Sequence, residues 1–299
     1  RMWDYPDSNS MVTDALRLSQ GMSYKNAMAD LPAGGGKAVI LADSNRTKTP
    51  EMLAAFARAV EGLGGQYITA QDVGMSEADM VSLSQHTAHV AGLPGQGGDP
   101  GPYTARGVYL GVKAAAKRAL GTDDMKGVRV AIQGVGSVGG GTARYLAADG
   151  AELILADMNH DRAVALADEL GATTVGTDDI LSVEADIVSP NALGAILTEQ
   201  SIAMLKTKVI AGGANNQLAT GSEGQLLQDR GILYAPDYVI NAGGIINVLR
   251  HIDNAGDDEI NARIDRIPNR LEQVWQESEA TGETPDVVAD KMAQRLIGR

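Results

Sequence analysis

The chain has 299 residues, no cysteine, one Phe, two Trp and a formal charge of −13 from 25 Lys+Arg and 38 Asp+Glu. Disulfides and thiolate metal sites are excluded, and so acidic a chain offers neither the basic surface nor the stacking platforms of a nucleic-acid binder. With 44% hydrophobic residues and no apolar run near the ~20 residues of a membrane span, it has the composition of a globular, two-domain protein.

"RMWDYP" at the start reads as a strand. No signal-like apolar core accompanies it, so the expected location is the cytoplasm. From Met11 to Asp30 the apolar spacing is helical, and Gly21 is expected to divide it into two helices, with Ser23 capping the second. Pro32 and Gly34–Gly36 form a loop, and "KAVILA" is a wholly apolar run that predicts a buried parallel strand. "TPEMLAAFARAVEGLGG" is a helix capped by Thr49 with Pro50 at its first position. "QYITAQDVG" predicts a strand running into a loop. His86 and His89 have a spacing that would offer two ligands on one helix face, but with no third ligand nearby no metal site is expected. "HVAGLPGQGGDPGPYTARG", the part richest in Gly and Pro, reads as a hinge before an alanine-rich helix, "YTARGVYLGVKAAAKRAL".

A second α/β series follows. "VRVAIQ" is a strand, Gly134-x-Gly136-x-x-Gly139 a turn, "SVGGGTARYLAADG" a helix, and "ELILAD" a strand ending at Asp157. Glycine at 134 permits a tight turn, at 136 lets a diphosphate approach the backbone, and at 139 allows close helix–strand packing. Ser137 and Val138 complete a helix N-terminus that faces negative charge. Placed after a strand and before a helix, with an acid roughly 20 residues on, the motif predicts dinucleotide binding. Asp157 would accept from the ribose hydroxyls and repel a 2′-phosphate, favouring NAD over NADP.

The earlier "GGGK" has the wrong polarity for a phosphate loop. Its glycines precede a strand, and no Ser or Thr follows Lys37. Lys37 instead enters an apolar run, where a partly buried amine suits a general base. Lys25 would be a second cation near the same cleft.

"GMSYKNAMADLPAGGGKAVI" is similar to the signature of the amino-acid dehydrogenases that act on glutamate, leucine, valine and phenylalanine. "ITAQDVG", "PYTARGV", "VAIQGVGSVG", "DIVSPNALG", "AGGANNQL" and "APDYVINAGGIINV" follow in that family's order. The resemblance implies an N-terminal α/β substrate domain, residues 1–103 completed by 284–299, and a Rossmann-type doubly wound NAD domain, 104–283, with the cleft between them. It implies that Lys25 binds the substrate α-carboxylate and that Lys37 and Asp72 are catalytic. Thr104, Ala192 and Asn241 would lie along the cofactor and Asn216 beside substrate and nicotinamide. Ala70, Ile245 and Val248 would line a side-chain pocket with no charge for a γ-carboxylate, so an aliphatic amino acid fits better than glutamate, with phenylalanine the runner-up.

The implied reaction yields a 2-oxo acid, ammonia and NADH, from a homo-oligomer without nucleic-acid or membrane partners. The competing class is a non-catalytic NAD sensor, which would need none of Lys25, Lys37 and Asp72. The sequence departs from the family's pattern at Asn191 and begins where relatives have a further N-terminal segment that supplies oligomer contacts and one pocket wall.

Overall fold

The computed structural model describes residues 1–94, 99–192 and 194–298, with Leu249 and His251 described by backbone only. The expected hinge is described except at 95–98, which lie outside these residues.

The chain begins with β1 (Met2–Trp3), α1 (Ser8–Met28), β2 (Ile40–Leu41), α2 (Pro50–Glu61), α3 (Glu77–Ser84) and α4 (Gly101–Leu120). Then come β3 (Arg129–Gln133), α5 (Ser137–Ala148), β4 (Glu152–Ala156), α6 (His160–Leu170), β5 (Thr173–Thr174), β6 (Ile187–Pro190), α7 (Glu199–Met204) and β7 (Val209–Ile210). The last part holds α8 (Glu223–Asp229), β8 (Leu233–Tyr234), α9 (Asp237–Ile240), α10 (Gly243–Ile246), α11 (Leu249–Ile252), α12 (Asp257–Ile264), α13 (Ile267–Thr281) and α14 (Pro285–Leu296).

β3 to β8 form one parallel sheet in the order β5-β4-β3-β6-β7-β8. This is the doubly wound order of a dinucleotide-binding fold, and it reverses between β3 and β6. Val130 and Ile132 of β3 are fully buried on one face and Ala131 on the other, as a strand covered by helices on both sides requires. Ligands of such sheets bind beyond the carboxyl ends of the strands at the reversal, here beside Gly134 and Asn191.

The smaller first part has its own core of Met2, Ala42, Leu53, Ala57, Met80, Leu83 and Val90. α1 leaves this core, because Tyr24, Met28 and Leu31 pack with the large cluster of the second part. α14 returns to α1, where Gln294 donates to the Tyr24 hydroxyl at 2.9 Å.

Several local expectations change. α1 runs unbroken through Gly21, since packing of Tyr24, Asn26 and Met28 holds the second half helical. Ser23 caps nothing and donates back to the Ser19 carbonyl at 3.0 Å. "KAVILA" pairs only at Ile40–Leu41, against the two residues of β1, and "QYITAQDVG" makes one bridge, Thr69 to Val90. The boundary at 103/104 falls inside the first turn of α4, which starts at Gly101 where Asp99 accepts its N–H at 2.7 Å. His86 and His89 lie beyond the end of α3 and share no helix face, and among the described residues no three metal-ligating side chains cluster. No helix among them is long and apolar enough to cross a membrane.

Candidate active site

Lys37 stands at the mouth of β2 in an ion pair with Asp72, each side chain about one-fifth exposed (21% and 20%). Burial opposes ionisation of Asp72, but the hydrogen bond and charge of Lys37, with the Val73 N–H at 2.6 Å, hold its carboxyl below the usual range. The loop carrying Asp72 is tethered by Lys48, which donates to the Gly74 carbonyl (3.2 Å) and to Asp79 (2.7 Å). Both groups face a cavity of about 110 Å³ whose wall includes Ala70, Ile245, Val248, Met22, Phe56 and Met75. Five of the residues singled out in sequence, Lys37, Asp72, Ala70, Ile245 and Val248, thus meet in one space. Arg1, another cation on its wall, is ion-paired with Asp14 at 2.9 Å.

Of the three glycines before Lys37, the middle one is required by the fold. A Cβ at Gly35 would fall 2.2 Å from the Ser19 carbonyl and the Ser23 nitrogen, so this loop lies directly on α1. That contact sets Lys37 relative to Lys25, which α1 carries.

Lys25 keeps a path to solvent but is ringed by protein, and desolvation lowers its pKa to about 8 against the supporting charge of Asp237, with Lys37 lowering it further. Its Nζ donates to Asn215 Oδ1 at 3.2 Å, and the same oxygen accepts from Asn241 Nδ2 at 2.8 Å. The resemblance names Asn216 beside substrate and nicotinamide, whereas the side chain that contacts Lys25 is that of Asn215. Asn216 adopts φ 52°, its carbonyl accepts from Ala195, and the preceding Asn215 turns towards Lys25. Asn215 and Asp237 went unselected although both lie in the quoted blocks, because adjacent asparagines and a strand-end acid look alike in sequence until a backbone turn separates them.

The residues expected along the cofactor lie about the sheet reversal. Gly134 has φ 85°, and a Cβ there would sit 2.8 Å from that of Ala192. At Gly139 a Cβ would lie 1.9 Å from the Gly134 carbonyl, whereas at Gly136 nothing lies within 4 Å. Gly136, Ser137 and Val135 border a groove of about 770 Å³. A tight turn beside open space is a cradle that a diphosphate fits. Val138 packs on the core behind it. Ser137 donates to Asp99 at 2.6 Å, clamping the start of α4 to the turn.

Asp157 accepts the Val135 and Asn159 N–H groups, both at 2.8 Å, with Arg162 3.7 Å away. Its carboxylate is therefore part of the turn as well as its rim, and Arg162 is a cation that sequence reading missed. Asn241 donates to Gly213 O at 3.1 Å, while its Oδ1 is buried without a hydrogen-bond partner. "NAGG" reaches this place because a Cβ at Gly243 would stand 2.0 Å from the Tyr103 carbonyl, and one at Gly244 2.7 Å from Thr104 Oγ1. Asn191, the departure noted in sequence, joins strand ends: it donates to Ser189 O (2.9 Å) and accepts from the Gly213 N–H (2.9 Å).

Residues 1–89 match the family model Glu/Leu/Phe/Val dehydrogenase, dimerisation domain, and residues 151–295 match Glutamate/Leucine/Phenylalanine/Valine dehydrogenase. The chain belongs to this family of amino-acid dehydrogenases, oxidoreductases acting on a CH–NH2 group, which implies a nicotinamide cofactor. It is 44% identical to leucine dehydrogenase of Bacillus subtilis (strain 168) over 302 residues, 100% of this chain and 83% of that one. It is 38% identical to phenylalanine dehydrogenase of Bacillus thermotolerans over 305 residues, 99% and 80% of the two chains. The solved L-tryptophan dehydrogenase from Nostoc punctiforme superposes with a TM-score of 0.90 at 38% identity, covering 99% and 86%.

Proposed function

We propose that this protein catalyses the reversible NAD-dependent oxidative deamination of an aliphatic L-amino acid (leucine, valine or isoleucine) to the 2-oxo acid, ammonia and NADH. The observation that carries this reading is the Lys37–Asp72 ion pair facing a cavity whose wall is mostly apolar, with Ala70, Ile245, Val248, Met22, Phe56 and Met75, and whose remaining cation, Arg1, is already paired with Asp14. A substrate carboxylate buried there would lack a free cation and keep its full desolvation cost.

Lys25 fixes the α-carboxylate from the Asn215 side, leaving the amino group towards Asp72. NAD, when bound, supplies the acceptor for the Cα hydride. Lys37, once neutral, takes a proton from the water that attacks the imine carbon, and Asp72 hands a proton to the departing ammonia. Their direct pairing lets a proton pass between them, and with the nitrogen ending as ammonium one proton is released to solvent over the whole reaction. The two parts of the chain act as lobes that close over the cleft and exclude bulk water during the hydride step, leaving the one water that Lys37 activates. Exposed Trp3, Val12, Leu16 and Leu41, all within residues 1–89, fit self-association, and a cytoplasmic oligomer is the form in which we expect activity.

The test is NADH formation with leucine, valine, isoleucine, phenylalanine and glutamate, using NAD and NADP. The aliphatic amino acids should exceed phenylalanine in kcat/KM by about tenfold or more, within the range a hydrophobic pocket discriminates, and glutamate should be the poorest. Glutamate as best substrate would overturn the pocket argument. An aromatic preference would establish the competing reading, which the adaptable Met22 and Met75 of the wall favour.

Asp157 gives a separate prediction. Asp157→Ser removes the charge facing a 2′-phosphate and leaves Arg162 in place. The preference for NAD over NADP should narrow by at least about tenfold, or ~1.4 kcal/mol, read as the ratio of kcat/KM values.

A further inference from the structure

The geometry points to Asp237 as a positioning residue that holds the Asn215 turn against Lys25, so that it governs binding of the substrate carboxylate without touching the reacting atoms. This rests on the reading of Lys25 given above.

Asp237 opens α9, between β8 and the cofactor-side Asn241. Its Oδ2 accepts the Gln217 N–H at 3.1 Å and its Oδ1 the Tyr238 N–H at 2.6 Å. The first of these bonds grips the turn from across the sheet end, one residue beyond Asn216 and two beyond Asn215. Gln217 itself is fully buried and donates to the Gly212 and Ala214 carbonyls at 2.8 and 3.0 Å. The turn is thus fixed at Gln217 from both sides, and Asn215 is left pointing at Lys25 and Asn241.

The electrostatics agree with that placement. Lys25 is desolvated by α1 and its surroundings, and the charges that reach it are Asp237, which favours its protonated form, and Lys37, which disfavours it. Asp237 is met by Lys25 from α1, Tyr234 from β8, Tyr238 from its own helix and Asp290 from α14. Burial pushes the Asp237 carboxyl up, while Lys25 and the N–H groups of Gln217, Tyr238 and Asn216 act the other way and favour the anion. Removing this charge leaves Lys25 desolvated and beside a second cation.

A cation that binds a carboxylate works only while protonated. In the wild type the KM for leucine should therefore rise as pH passes above about 8. Asp237→Asn should move that rise to lower pH by about one unit, which makes KM at pH 8 roughly fivefold higher and approaches tenfold only well above pH 8, with kcat falling by less than about threefold. Asp237→Glu, which restores the charge, should recover most of the wild-type profile. Asp237→Ser keeps an acceptor at this helix start without the charge and should behave like Asp237→Asn.

Thermal melts of each variant accompany the kinetics. A KM that is unchanged at every pH, or a loss in kcat and KM by one common factor independent of pH, would overturn the inference, since a merely structural residue acts so. It also falls if neither Asp237→Asn nor Asp237→Ser folds. Absence of turnover by the wild type would instead defeat the functional reading, and this inference with it.

Discussion

Lys37→Ala should lower kcat for leucine deamination roughly 100- to 10,000-fold, the range over which a positioned general base contributes, with a much smaller change in KM. Lys37 is one-fifth exposed at the mouth of β2, so its truncation removes little packing and the melting temperature should stay close to that of the wild type. Asp72→Asn leaves Lys37 facing a neutral amide, and its loss should be of similar size. Because the two are one ion pair, the double variant should be little worse than either single one. Steady-state kinetics of the three variants, each checked by a thermal melt, decide the matter. Unchanged NADH production by Lys37→Ala would remove the base from the mechanism, and additive losses would separate Lys37 and Asp72 into independent roles.

The second large effect separates fold from ligand within one turn. A Cβ at Gly139 would overlap the Gly134 carbonyl, an obstacle made of backbone that cannot swing aside. Gly139→Ala should therefore destabilise the protein by about 1–3 kcal/mol, the usual cost of overpacking, and lose cofactor binding with it. At Gly136 the same methyl meets nothing within 4 Å. Gly136→Ala should keep its melting temperature and yet raise the cofactor Kd by about tenfold or more, because the space it fills is where the diphosphate approaches. Thermal melts paired with cofactor titration read the two quantities separately. Equal loss of stability in both variants, or tight cofactor binding by Gly136→Ala, would contradict the cradle.

How far the site was legible follows from what each residue does. Lys37, Asp72, Ala70, Ile245 and Val248 could be named because each sits in a block whose spacing relates residue type to chemistry, and one cavity gathers them. Gly134 and Gly139 of the turn were legible for a stronger reason: backbone sterics dictate glycine at both. Asn215 was not, since the choice between neighbouring asparagines depends on the left-handed conformation of Asn216. Asp237 was not, since its place beside Lys25 is created by α1 crossing to α9, 212 positions along the chain. The unbroken α1 was missed because local glycine cost is outweighed by packing that a sequence window does not contain.

The sequence by itself determined the α/β class, the strand–turn–helix that meets a dinucleotide, and the residue types that can bind a carboxylate and move a proton. These follow from short-range rules: periodicity, turn sterics and the chemistry of single side chains. The tertiary structure alone decided which asparagine faces Lys25, that Asn191 ties two strand ends, that Gly35 rests on α1, and that Asp237 holds the turn after Asn216 at Gln217. Those outcomes depend on distances between segments far apart in the chain, and only the packing of one element on another sets them.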